Sequence, residues 1–64
     1  YENLIGKTGI SQTDLRPSGK VEIDGKQYHA RSRGDFISNG TYVLVNSVEE
    51  NELIVQINSE STES

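Results

Sequence analysis

A chain of 64 residues, 31% of them apolar, has room for one small domain, and a domain of that size buries only about 60% of the surface its unfolded form exposes. It has no cysteine and one histidine, which excludes a disulfide framework and a structural zinc site as sources of stability. Its net charge of −4 opposes approach to a polyanion, so nucleic-acid binding starts at a disadvantage.

Stability must then come from strand pairing and packing, which favours a closed sheet over one with open edges. The lack of cysteine fits a reducing compartment. There is no methionine, even at position 1, so the expectation is a piece of a longer or processed chain. Within it no apolar run approaches the ~20 residues that would cross a bilayer, and the piece itself reads as soluble. Charge is unevenly spread. Residues 1–33 hold six basic and four acidic side chains, a balance of +2, while residues 34–64 hold six acidic and none basic, a balance of −6. Such a split makes an electric dipole unless strands from the two halves alternate around the sheet.

In chain order, residues 4–10 read as a first strand softened by Gly6 and Gly9, which permit a bulge or sharp bend. Residues 11–19 read as a polar loop, with Pro17 followed by Ser18-Gly19 as its turn. Asp24-Gly25 is among the best pairs for a type I′ turn, which needs positive φ at both central residues. It predicts a hairpin of 20–23 and 26–33, pairing Ile23 with Lys26, Glu22 with Gln27, Val21 with Tyr28 and Lys20 with His29. Val21, Ile23, Tyr28 and Ala30 then face the core. Lys20, Glu22, Gln27, His29, Arg31 and Arg33 face water.

Phe36 and Ile37, in a short connection from Gly34 to Gly40, are expected to plug the barrel. Asn39-Gly40 turns the chain into a fourth strand, 42–48, whose Val43-Leu44-Val45 is apolar on both faces. Glu49-Glu50-Asn51 makes the last turn before a fifth strand, 52–57. The stretch 58–64 lacks any apolar residue, so a disordered tail is expected there. No segment has helical periodicity. Five short strands with Gly, Pro or Asn between them point to an all-β, five-stranded Greek-key barrel of OB type, with an SH3-like barrel as the competing architecture.

Catalysis finds little footing. An enzyme needs a nucleophile, an acid–base pair or a metal in a pocket, and His29 is placed on the solvent face beside Lys20 and Arg31. Asp24 is explained by its turn and Asp14 by capping or pairing near Arg16. Ser18-Gly19-Lys20 lacks the upstream glycines of a phosphate loop. No catalytic residue, metal or cofactor is expected. Lys26 beside a hairpin tip allows a biotinyl- or lipoyl-type carrier, but the two similar halves of such domains are missing. The cations Arg16, Lys20, His29, Arg31 and Arg33 are the candidate binding residues, set against the bland alternative of an ordinary solvated face. Single-stranded nucleic acid is the alternative ligand, since OB barrels bind it on this face. Stacking platforms need exposed aromatics, however, and Tyr28 is expected to point inward.

The run Asp14-Leu15-Arg16-Pro17-Ser18-Gly19-Lys20-Val21 followed by Asp24-Gly25 is the most specific motif of the chain. Ala30 to Ser32, Gly34, Phe36-Ile37, Gly40, Val43 to Val45 and Leu53 to Val55 follow it. Together these resemble the soluble C-terminal domain of NfeD-like membrane proteins over residues 4–57. The resemblance implies an OB barrel, residues 4–57, attached to transmembrane helices outside the chain, with residues 1–3 as a linker remnant. It implies a non-catalytic, monomeric interaction domain on the cytoplasmic side of a membrane. Its implied partner is a stomatin- or flotillin-like protein, with a role in membrane organisation or quality control. Longer members of that family carry a ClpP-like serine protease domain upstream. The family's barrel supplies no catalytic residue to carry over, and no motif here marks its partner-binding surface.

Overall fold

The computed structural model describes residues 2–58. Within them a single 3-10 turn (Glu2–Leu4) precedes β1 (Thr8–Ser11), β2 (Ser18–Ile23), β3 (Lys26–Ser32), β4 (Tyr42–Glu49) and β5 (Glu52–Ile57). The strands close into a barrel in the order β1-β2-β3-β5-β4, with β4 returning to β1. Only the β3–β5 pair is parallel. This is the OB topology expected from the strand spacing.

The hairpin at Asp24-Gly25 follows the expected turn chemistry. Both residues have positive φ, 54° and 85°, and the four residue pairs read from the sequence are the pairs formed. Alternation does the rest: Val21, Ile23 and Ala30 are buried, Tyr28 packs half-buried against the core, and Lys20, Gln27 and His29 are exposed. The second hairpin uses the same device, with Glu50 and Asn51 at φ 53° and 66°. The apolar run in β4 keeps ordinary alternation, and a register shift follows it between Val45 and Ser47. Val43 and Val45 point inward and Leu44 stays half-buried outside.

Three expectations are corrected. The first strand begins at Thr8, not Leu4. Gly6 takes φ 90° and breaks the extended path, so Leu4 folds back through the 3-10 turn and is buried against the core. Ser18 and Gly19 are not a turn but the first residues of β2, paired with Arg31 and Ala30. A side chain at Gly19 would overlap the Thr13 hydroxyl, a Leu15 methyl and the Asp14 carbonyl, so this glycine is spent on close packing. Phe36 does not plug the barrel; it is 54% exposed, while Ile37 is buried as expected. The second plug is Leu15, which is fully buried. Leu15 and Ile37 exchange backbone hydrogen bonds of 2.8 and 3.2 Å, so the β1–β2 and β3–β4 loops each send one residue into the barrel end. The tail expected at 58–64 lies, from Ser59 onward, outside the described residues.

Two stability measurements check this account. Leu15→Ala should cost about 2–5 kcal/mol in chemical denaturation, whereas Phe36→Ala should cost less than about 1 kcal/mol; equal losses would mean the plug is misassigned. Gly25→Val forces a β-branched side chain into positive φ and should cost roughly 1–3 kcal/mol, read as a lowered Tm.

Candidate partner-binding surface

The β2–β3 register sets the geometry of the cationic residues. Lys20 and His29 are directly opposed across the two strands and both are exposed on the outer wall. With Gln27 and Tyr28 they line a small depression. Arg33 lies just past the end of β3, also exposed. Among the described residues, neither Lys20 nor Arg33 has a carboxylate within ion-pair distance. These cations are therefore available to a ligand.

Arg31 differs. It reaches Glu49 Oε1 at 3.2 Å and Glu52 Oε1 at 3.8 Å, across the seam where β3 lies against β5. The basic first half of the chain and the acidic second half meet here, but β1, β2 and β3 are contiguous around the barrel and so are β5 and β4. The strands of the two halves therefore do not alternate, and these ion pairs offset the charge split only at the seam. Ile54, the register neighbour of Arg31, is 3% exposed, so this ion-pair group sits beside a buried aliphatic side chain.

Arg16 stands apart from the other candidates, on the loop that seals the barrel end. Its guanidinium lies 5.2 Å from the centroid of the Phe36 ring, and Nη2 is 3.5 Å from Asp14 Oδ2. Asp14 is itself fixed, since its Oδ1 accepts the Asn39 N–H at 2.9 Å. The structure thus brings Lys20 and His29 together, leaves Arg33 past the end of β3, engages Arg31 internally, and places Arg16 on the sealed end. The Arg31 pairs join strands distant in sequence, and the Arg16–Phe36 contact depends on two loops meeting; neither has a local signal.

His29 lies on an open wall, and the described residues include no group of three or more His, Asp or Glu side chains placed to hold a metal. No helix among them is long and apolar enough to cross a membrane.

A sequence model of the NfeD-like C-terminal, partner-binding domain matches residues 1–56. The chain belongs to this family. Membrane protein NfeD1b of Bacillus subtilis (strain 168) is 41% identical over 54 residues, which cover 84% of this chain and 12% of that protein. This NfeD-like chain therefore spans about an eighth of that relative's length. Two solved structures share the fold. The C-terminal domain of stomatin operon partner protein 1510-C from Pyrococcus horikoshii superposes with a TM-score of 0.85 at 31% identity, over 89% of this chain and 91% of that one. The soluble domain of a Corynebacterium glutamicum membrane protein implicated in regulation of membrane protease activity gives 0.81 at 27% identity, over 89% and 95%. The NfeD-like domain is a partner-binding domain, not a catalytic one, and its relative NfeD1b is a membrane protein.

The division among the cations is measurable. Arg31→Gln should lower stability by up to about 1 kcal/mol, with the loss shrinking in high salt. Lys20→Gln and Arg33→Gln should leave it within about 0.5 kcal/mol, as followed by urea denaturation.

Proposed function

We propose that this NfeD-like domain is the soluble adaptor of a membrane protein and docks on an acidic surface of a stomatin- or flotillin-like partner. The observation that carries this reading is the pairing of Lys20 with His29 on a register-locked wall, with Arg33 further along, past the end of β3, and no carboxylate within ion-pair distance of Lys20 or Arg33 among the described residues. Arg31, two residues beyond His29 on β3, adds long-range attraction while holding its own contacts, and Arg16 adds positive charge from the sealed end. The match to a partner-binding family and the likeness to a stomatin operon partner protein support the choice of partner class.

In this reading the docking unit is the monomeric barrel, residues 4–57, with a linker at 1–3 and a tail at 58–64. It hangs on the cytoplasmic side from membrane helices elsewhere in the full protein. Any serine protease chemistry belongs to a ClpP-like domain upstream, where the full protein carries one. The adaptor serves membrane organisation or quality control by bringing its parent protein to the partner.

Charge reversal tests this. Lys20→Glu combined with Arg33→Glu should reduce co-purification of the full-length protein with its stomatin-like partner from solubilised membranes at least about tenfold, a change of roughly 1.4 kcal/mol, with the Tm of the isolated chain preserved. Undiminished co-purification removes this wall from the interface. Salt-sensitive micromolar binding of single-stranded oligonucleotides to the same wall would replace the adaptor reading with a nucleic-acid one.

A further inference from the structure

On the neighbouring stretch of the outer wall, where β2 meets β1, the residues have opposite chemistry. Tyr42 of β4 is the direct neighbour of Ile10 of β1, and Ile10 is the direct neighbour of Glu22 of β2. These three form one row across the outer surface. All three line an open groove, together with Thr8, Asp24 and Gly25. Tyr42 is 59% exposed, the most exposed large apolar side chain among the described residues. The groove is a product of packing. A side chain at Gly9 would overlap the Glu22 carbonyl and the Ile23 side chain, so only glycine lets β1 close against β2 at the groove floor.

We infer that this groove is a second docking site, for a protein segment in which an apolar side chain is flanked by lysine or arginine. Tyrosine is enriched among residues that anchor interfaces, because it offers a rigid apolar face and a polar tip. Tyr42 and Ile10 supply the apolar half of the contact. Glu22 and Asp24 supply the anionic half. One Glu22 oxygen is held by the Gln12 amide at 2.8 Å, which orients the carboxylate. Lys7 reaches Asp24 at 3.2 Å, but both side chains are well exposed, and exposed pairs of this kind exchange partners at little cost. An acidic rim repels lipid phosphates and nucleic acid alike, so the occupant is a cationic peptide segment. The same segment is repelled by the Lys20–His29 wall, and the two surfaces select ligands of opposite sign.

The site can be tested on the 64-residue chain by following backbone amide NMR shifts during titration with the peptide Lys-Leu-Lys-Leu-Lys and with its Glu-Leu-Glu-Leu-Glu counterpart. The lysine peptide should shift Gly9, Ile10, Gly25 and Tyr42 and lose affinity as salt rises; the glutamate peptide should leave these amides in place. Tyr42→Ser and Glu22→Gln should each weaken the lysine peptide several-fold, with spectral dispersion retained. Equal shifts with both peptides, no binding of either, or shifts confined to Lys20 and His29 would overturn the proposal. Groove shifts that grow with protein concentration alone would also overturn it, assigning the groove to a second copy of the chain. Amide shifts at Gly9, Ile10, Gly25 and Tyr42 report on the groove and those at Lys20 and His29 on the cationic wall, so the two readings fail separately.

Discussion

A small barrel has two open ends, and this chain is organised around closing one of them with a side chain from each of two loops. Leu15 and Ile37 meet across the end and bind each other through reciprocal backbone hydrogen bonds. Both are essentially free of solvent contact. A barrel whose interior is lined mainly by Val, Ile and Ala has no other way to exclude water from that end, and an unsealed core of this size would forfeit much of its hydrophobic stabilisation. Several otherwise separate features follow from the plug. Gly19 must lack a side chain because Leu15 lies over it. Asp14 caps the Asn39 N–H because the two loops are drawn together. Phe36 is displaced to the surface because the space it was expected to fill is taken, and there it meets Arg16.

The contrast between what could and could not be read in advance has a consistent physical basis. The β2–β3 hairpin was legible because all its determinants are local: an Asp-Gly pair that accepts positive φ, and strict alternation on either side. The sheet order was legible because strand spacing and loop lengths leave few closed topologies. Leu15 was not legible, since it stands alone in a polar stretch and its burial depends on Ile37, 22 residues away in sequence. The start of β1 was misread because Leu4-Ile5 looks extended by propensity, while the glycine after them turns the backbone out of the strand. At the candidate site the cross-strand placement of Lys20 and His29 could be read from the register. The engagement of Arg31 could not, because it depends on a parallel pairing of strands separated by the whole of β4.

Charge shows how the fold edits the sequence. In linear order the first half is cationic and the second anionic, which would suggest a strongly polar particle. Folding keeps β1, β2 and β3 contiguous and sets β3 beside β5, so the two halves stay segregated around the barrel and offset each other only where Arg31 meets Glu49 and Glu52. What survives is a local pattern. Lys20 and Arg33 remain without carboxylate partners among the described residues, while Glu22 and Asp24 line the groove beside Tyr42. Net charge alone would describe the whole surface as acidic and would miss the cationic wall.

These two patches share strand β2, whose outward residues alternate with the buried Val21 and Ile23. Lys20 and Glu22 are successive outward positions on one strand, yet they belong to surfaces of opposite sign, because Lys20 is flanked by His29 of β3 and Glu22 by Ile10 of β1. A one-residue slip in register would bury both charges and expose both apolar neighbours. The core and the recognition surfaces are therefore specified by the same alternation, and the Asp24-Gly25 turn that sets it governs both. That coupling lets so short a chain carry distinct surface chemistries, since β2 builds the core with Val21 and Ile23 and displays Lys20 and Glu22 in alternation with them.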